Sequence, residues 1–138
     1  MNQLPMRILL LASVLFFSLG SQAQELLRQE RFDNGRLKSS LYKEGGMVRF
    51  ITYYESGRVK EQGAFRSGKR EGTWKQFNEA GVLLSRAEFE QGVRSGTWEV
   101  HTAEGGGSGR LYFQDGLLAA AEQVGENGEV LAQRNYGE

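Results

Sequence analysis

Residues 55–74 and 79–98 read ESGRVKEQGAFRSGKREGTW and EAGVLLSRAEFEQGVRSGTW, and this pair of stretches decides the fold. They are identical at eight of their twenty aligned positions, at a constant offset of 24 residues. A repeat of this period indicates an array of similar supersecondary units, each of which buries its apolar face against its neighbours. The identical positions are Glu55/Glu79, Gly57/Gly81, Phe65/Phe89, Gly68/Gly92, Arg70/Arg94, Gly72/Gly96, Thr73/Thr97 and Trp74/Trp98.

The repeat continues more weakly on both sides of this pair. Upstream, the run Phe32–Leu37 resembles Tyr54–Val59, and downstream Phe113 and Gly116 follow Phe89 and Gly92 by 24 residues. Terminal repeats of an array are commonly degenerate, because one of their sides has no neighbouring repeat. We therefore predict one repeat domain over residues 24–138, with about four units and the clearest repeats at 50–101.

Each unit has the pattern of a β-hairpin. The segments between turns hold five to nine residues, are rich in Val, Phe, Tyr, Trp and Thr, and end at glycines, of which the chain has 19. Asn34-Gly35 and Asn127-Gly128 predict two-residue type I′ turns, and connections this short join antiparallel strands. The predicted fold is all-β, an elongated antiparallel meander of stacked hairpins. The repeat register makes Leu117–Glu122 a strand or an irregular loop, although its composition favours a helix.

A two-residue turn at Ser56-Gly57 predicts which residues face each other. The predicted pairs are Tyr54/Val59, Thr52/Glu61 and Phe50/Gly63, and one repeat later Asn78/Leu83, Gln76/Ser85 and Trp74/Ala87. Alternation along the strands then separates two faces. The predicted aromatic face holds Phe50, Val59, Phe65, Trp74, Leu83, Phe89 and Trp98; the predicted opposite face holds Arg58, Lys60, Arg66, Lys75, Arg86, Glu88 and Glu90, with Tyr53, Phe77 and His101.

The first 23 residues have the pattern of a secretory signal peptide. Arg7 precedes the twelve-residue apolar run Ile8–Leu19, which is shorter than the about 20 residues of a membrane-spanning helix. Ser21 and Ala23 then supply small residues at the −3 and −1 positions of a cleavage site before Gln24. The sequence therefore predicts an exported protein, periplasmic or secreted.

Composition argues against several classes of chemistry. Seventeen basic and seventeen acidic residues give a net charge of zero, whereas a dedicated nucleic-acid binder carries a basic excess. The chain has no Cys and one His, which excludes thiolate and multi-His metal sites. We therefore predict no catalytic residues, no metal, no cofactor and no nucleic-acid partner.

Three local features resemble functional motifs but have simpler interpretations. The run Gly63–Lys69 resembles a phosphate-binding loop, yet Arg70 stands where Ser or Thr should bind the metal and no helix pattern follows. Glu88 and Glu90 lie two residues apart on one predicted face, and we interpret them as members of solvated ion pairs. His101 occupies the column of Tyr53 and Phe77, which indicates a packing position.

The sequence resembles the MORN-repeat variant proteins, and among them the YwqK-like antitoxin family. The resemblance is carried by Tyr53–Lys60, Gly63, Phe65 and Ser67–Trp74, and again by the copy at 79–98. It implies an elongated antiparallel sheet of stacked hairpins that serves as a binding scaffold. The antitoxin family further implies neutralisation of a toxin by direct contact.

Two binding functions are consistent with these patterns. The first is a non-enzymatic scaffold that binds an unidentified partner protein, such as a toxin or an envelope protein, because a one-layer sheet leaves its aromatic face uncovered. The alternative is binding to the cell envelope or to anionic lipid. The predicted contacts of the scaffold are Tyr54, Trp74, Phe89 and Trp98; those of the alternative form a basic stripe of Arg49, Arg58, Lys60, Arg66, Lys69 and Arg70.

Charge is distributed unevenly along the chain. Residues 24–86 hold 13 basic and 8 acidic groups, a net charge of +5. Residues 87–138 hold 3 basic and 9 acidic groups, a net charge of −6. A linear array would therefore have a positive first half and a negative second half, able to dock on an anionic surface at one end or to associate head to tail.

Overall fold

The protein is all-β, and its ten strands form one open antiparallel sheet in sequence order. The computed structural model describes residues 24–102 and 106–137, so the predicted signal peptide at 1–23 lies outside the described residues. This confirms the predicted meander and extends it to five hairpins, where the sequence indicated about four units. The strands are β1 (Glu25–Arg31), β2 (Leu37–Glu44), β3 (Met47–Tyr53), β4 (Val59–Arg66), β5 (Lys69–Phe77), β6 (Leu83–Glu90), β7 (Val93–His101), β8 (Ser108–Gln114), β9 (Leu117–Val124) and β10 (Val130–Asn135).

Leu117–Glu122 belongs to strand β9, as the repeat register predicted. Pairing with β8 on one side and β10 on the other outweighs the helix propensity of its alanines. Over the part of the chain that the structure describes, no helix has the length and apolar composition needed to cross a membrane.

The turns alternate between two types, and each type lies on one side of the sheet. The long-turn side carries five-residue loops at 32–36, 54–58, 78–82 and 125–129. In the loop at 54–58, the Gly57 amide donates to the Tyr54 carbonyl and the Tyr54 amide donates to the Arg58 carbonyl, both at 2.8 Å. Gly57 has a φ of 90°, whereas Ser56 is not in the left-handed region. These features define a type I turn followed by a glycine bulge.

The type I′ turns predicted at Asn34-Gly35, Ser56-Gly57 and Asn127-Gly128 are therefore wrong. In all three, glycine alone has a positive φ, whereas a type I′ turn requires it at both central residues. Asparagine or serine before glycine fits a type I turn with a bulge equally well, because it then occupies the last right-handed position of the turn. Whether the chain forms a type I′ turn or a type I turn with a bulge depends on how many residues the flanking strands leave unpaired.

The short-turn side carries the type I′ turns. At 67–68, 91–92 and 115–116 both residues have a positive φ, with values of 50° for Ser67 and 76° for Gly68. The flanking residues pair directly, as Arg66 does with Lys69. A fourth two-residue connection, Gly45-Gly46, joins β2 and β3.

Ser67→Asn should raise the free energy of unfolding by about 0.5–1 kcal/mol, because Asn tolerates the left-handed conformation better than Ser. Ser56→Asn is the matched control: it also precedes a turn glycine, but its φ is not positive, so we expect almost no change. Urea unfolding of both variants measures the difference. Equal gains at the two positions would contradict the assignment of two turn types.

The strand interiors pair in the predicted register. Phe50 lies opposite Gly63, Thr52 opposite Glu61 and Trp74 opposite Ala87. Near the long turns the prediction is wrong, because Val59 pairs with Tyr53, and Leu83 with Phe77, instead of Tyr54 and Asn78. The five-residue loop shifts the register at the turn, and one unpaired residue in the following strand restores it. Val59 and Tyr53 therefore share a face, although strict alternation placed them on opposite faces.

The repeated Gly-Thr-Trp sequence forms a bulge between strands. Gln62 pairs with Lys75 and Ala64 pairs with Glu71, so Gly63 alone lies opposite the three residues 72–74. The next repeat does the same, with Ala87 opposite residues 96–98. The first residue of each bulge is a glycine with a positive φ, 69° at Gly72. These extra residues allow the tryptophan ring to cross onto the neighbouring strand.

Candidate functional site: the aromatic face and its two arginines

Six aromatic rings form a continuous row across the aromatic face, which we call the aromatic ridge. Successive ring centroids lie 4.8–6.4 Å apart, within the range of favourable aromatic contacts. Phe113 extends the predicted set, and its signal was the offset of 24 residues from Phe89. The ridge consists of Phe50, Phe65, Trp74, Phe89, Trp98 and Phe113.

Trp74 is the core of the ridge and offers little surface for a partner. Only 4% of its surface is exposed, and its ring centroid lies 5.0 Å from that of Phe65 and 6.0 Å from that of Phe50. Its indole nitrogen is buried and has no hydrogen-bond acceptor among the described residues. A side chain so enclosed stabilises the sheet, and any contact with a partner must come from its neighbours.

Phe89 and Trp98 retain accessible surface, since both are half-buried. The Trp98 indole N–H donates to the Glu88 carbonyl at 2.9 Å, which fixes the orientation of the ring. Of the four predicted contact residues, these two remain available on the aromatic face.

Tyr54 lies in the long turn at 54–58 and is not a member of the ridge. Its hydroxyl donates to the Phe77 carbonyl at 2.8 Å, in the next hairpin. Lys60 Nζ lies 5.6 Å from the Tyr54 ring centroid. The Tyr54 side chain therefore joins successive hairpins on the long-turn side of the sheet.

Two arginines of the repeat lie over the ridge. Arg70 pairs with Phe65 and Arg94 pairs with Phe89, so both arginines are on the aromatic face. The guanidinium carbon of Arg70 lies 4.5 Å from the Trp74 ring centroid and 5.2 Å from that of Phe89. At these distances the positive guanidinium group is attracted by the faces of aromatic rings.

Arg94 repeats the arrangement one unit later. Its guanidinium carbon lies 5.7 Å from the Trp98 ring centroid and 5.6 Å from that of Phe113. Within the described residues, neither Arg70 nor Arg94 forms an ion pair, and both are exposed. Two oriented guanidinium groups therefore remain open to an external acceptor.

A groove of about 320 Å³ runs along the ridge; Arg70 lines it, whereas Arg94 lies outside it. Trp74 and Trp98 contribute to its walls, and Ala87, which pairs with Trp74, lies between them. Gln76 and Ser85 also line it, with the Ser85 hydroxyl 3.3 Å from Gln76 Oε1, and so do the charged residues Glu61 and Arg86. Apolar walls with a few polar groups are typical of sites that bind a ligand or a peptide side chain.

The predicted basic stripe does not form one surface. Arg49 pairs with Glu44 at 3.1 Å, and Arg58 donates to the Glu79 carbonyl at 2.8 Å in the next long turn. Arg70 lies on the aromatic face, as described above. Arg66 contacts the sulfur of Met47, Lys60 contacts Tyr54, and Lys69 lies near the Gly92 turn.

The opposite face carries polar clusters of ordinary structural type. Glu88 accepts a hydrogen bond from Thr73 at 2.7 Å and pairs with Arg86 at 3.2 Å. Glu88 is therefore a member of an ion pair, as interpreted, but its partner Arg86 lies on the same strand, β6, whereas a cross-strand pair was expected. Over residues 24–102 and 106–137, no group of three His, Cys, Asp or Glu side chains could hold a metal ion.

A second polar cluster lies further along the opposite face. The Tyr112 hydroxyl donates to Glu122 at 2.8 Å, and Arg110 lies 3.6 Å from the same carboxylate. The hydrogen bond to Glu122 raises the pKa of the Tyr112 hydroxyl above its usual value. The Tyr112 hydroxyl thus remains protonated at neutral pH and serves as a hydrogen-bond donor.

Comparisons with known proteins leave the family open. No family model matches the chain, and no curated protein matches it. Two crystal structures of TarM show a distant likeness: a mutant from S. aureus in complex with fondaparinux, alpha-GlcNAc-glycerol and UDP (TM-score 0.42, 8% identity), and TarM itself (TM-score 0.41, 10% identity). The matches cover 78% of this chain and 20% of each TarM chain. At these TM-scores the likeness carries no inference about function.

Proposed function

We propose that the chain is an exported, non-enzymatic scaffold that binds a partner protein through its aromatic face. The observation that carries this proposal is the pair of exposed guanidinium groups, Arg70 and Arg94, that lie over the rings of the ridge, with the groove next to Arg70. Arginine and aromatic side chains are the residues most enriched at the energetically dominant positions of protein interfaces. An antitoxin or immunity protein is one form of this function.

The distribution of basic residues favours a protein partner over an anionic lipid surface. Binding to a membrane surface needs several basic groups on one face, each contributing about 1 kcal/mol. In this sheet Arg49 and Arg58 are occupied by Glu44 and by the Glu79 carbonyl, and Arg70 lies on the aromatic face. Of the remaining stripe residues, Arg66 and Lys69 lie at the short-turn side of the sheet and Lys60 lies at the long-turn side.

Site-specific photo-cross-linking tests which face binds. The cross-linker p-benzoylphenylalanine replaces Val100, which lines the groove, or Val93, which pairs with Glu90 on the opposite face. Both valines belong to β7, and they are 46% and 49% exposed, so they form a matched pair. After irradiation in the host cell, we expect a protein adduct of one defined mass from position 100 and none from position 93.

Two further steps decide the result. The adduct is identified by mass spectrometry, and the purified partner is titrated against wild-type protein and Trp98→Leu, which should bind at least about tenfold more weakly. Protein adducts from position 93 alone would show that the opposite face binds the partner. Adducts to lipid instead of protein would favour the membrane-binding alternative.

A further inference from the structure

We propose that the bound segment of the partner is an acidic polyproline II helix, with carboxylates at every third residue that pair with Arg70 and Arg94. This inference rests on the proposed function and names the chemistry of the partner. It follows from the spacing of the two arginines, from the aromatic walls of the groove and from the exposed guanidinium groups.

The repeat sets the distance between corresponding side chains. Arg70 is on β5 and Arg94 on β7, and strands two apart in a sheet are separated by about 9.5 Å. The ring distances give an upper bound for the same repeat. The Trp74 and Phe89 centroids are 6.4 Å apart and those of Phe89 and Trp98 are 5.1 Å apart, so the distance between the two tryptophan centroids cannot exceed the sum of these two distances. The cation sites above the two tryptophans therefore repeat at about 10 Å.

A polyproline II helix matches this repeat. It has three residues per turn and a rise of about 3.1 Å per residue, so side chains three apart lie on one face about 9.3 Å apart. In a β-strand, residues on one face are about 6.7 or 13 Å apart, and neither distance fits. An α-helix presents a comparable spacing only at every seventh residue, so it would need about two full turns between the two carboxylates.

The groove and the arginines fit the two components of such a segment. Proline-rich segments dock into grooves with aromatic walls, and the groove between Trp74 and Trp98 has such walls. The guanidinium groups supply two donors each in a plane, the geometry that suits a carboxylate. Stacking on the rings holds both groups in place before the partner arrives, which reduces the entropy lost on binding.

Synthetic peptides test the proposal directly. The probe is acetyl-PPEPPEPP-amide; acetyl-PPQPPQPP-amide removes the charge, and acetyl-PPEEPPPP-amide keeps the charge but changes the spacing. The chain contains two tryptophans, both in the ridge, so intrinsic fluorescence reports binding at this face. We expect the first peptide to bind at least about tenfold more tightly than either control, and added salt to weaken it.

Matched variants locate the site. Arg70→Gln and Arg94→Gln should each weaken binding of acetyl-PPEPPEPP-amide about tenfold, through loss of a charge-assisted pair. Arg66→Gln is the control, because Arg66 is also exposed but pairs with Lys69 on the opposite face. An equal loss for Arg66→Gln would overturn the proposed location.

The remaining outcomes separate this inference from the proposed function. Equal binding of the Glu and Gln peptides would overturn the acidic requirement and leave the aromatic face as a polypeptide-binding site. No peptide binding, together with a protein adduct at position 100, would overturn the polyproline inference alone. Absence of both signals would overturn both proposals.

Discussion

Replacing Trp74 by alanine is expected to lower the free energy of unfolding by about 3–5 kcal/mol, the range for loss of a large aromatic from a well-packed site. Trp74 is 4% exposed and its ring contacts those of Phe50, Phe65 and Phe89. The same substitution removes the ring on which Arg70 is stacked. Because the rings of four consecutive strands, β3 to β6, meet at this side chain, the sheet should lose cooperativity as well as stability.

Two controls make this expectation specific. Lys75→Ala, the next residue on the opposite face, should change the free energy of unfolding by no more than about 0.5 kcal/mol. Trp98→Ala should be destabilising but less so than Trp74→Ala, because Trp98 is only half-buried. Denaturant titration of the three variants gives the order; equal midpoints for Trp74→Ala and Lys75→Ala would show that the ridge is not the core.

Tryptophan and glycine positions made the core of the sheet predictable from the sequence. A large ring recurs across from a small residue, Phe50 from Gly63 and Trp74 from Ala87, and only one interior register satisfies both pairs. A shift by one residue would move the rings to the other face. The strand interiors therefore agree with the pattern even where the turns between them do not.

The turns and bulges were not predictable because they depend on unpaired residues. An Asn-Gly pair fits two turn types, and the number of residues that the strands leave free selects between them. Gly-Thr-Trp likewise has the composition of an ordinary strand, and its two extra residues become visible only once the opposing strand is placed. Bulges of this kind are a property of a pair of strands, which a single segment does not encode.

The candidate site, like the fold, was predictable only in part. Arg70 is four residues before Trp74, so strand alternation places both on the same face, and Arg94 has the same spacing from Trp98. The sequence therefore contained the information that both arginines lie on the aromatic face. The predicted basic stripe groups Arg70 with Arg49 and Arg58, counts charges along the chain without assigning each charge to a face, and does not include Arg94. The contacts of Arg49 with Glu44 and of Arg58 with the Glu79 carbonyl depend on neighbouring strands and turns.

Gly63→Ala is expected to lower the free energy of unfolding by about 1–3 kcal/mol, the range for overpacking a core site. A Cβ atom added at Gly63 would overlap the Trp74 ring, which is held by the neighbouring rings and cannot move without disturbing them. Gly46→Ala is the matched control, because a Cβ atom added at Gly46 would meet no other atom within 4 Å and the φ of Gly46 is not positive. That variant should be neutral or slightly stabilising.

A double-mutant cycle then shows whether the ring is the cause. If the Trp74 ring alone excludes a side chain at Gly63, the loss from Gly63→Ala should disappear in a Trp74→Leu background, where the shorter side chain leaves room for the methyl group. The corresponding position of the next repeat is Ala87, and there Trp98 is turned to donate its indole N–H to the Glu88 carbonyl. A loss at Gly63 that persists in the Trp74→Leu background would mean that the backbone, and not the ring, requires glycine there. If the loss disappears in that background, Trp74 and Gly63 pack as one unit. Close contact between the indole and the sheet then accompanies the lack of a hydrogen-bond partner for the indole nitrogen among the described residues.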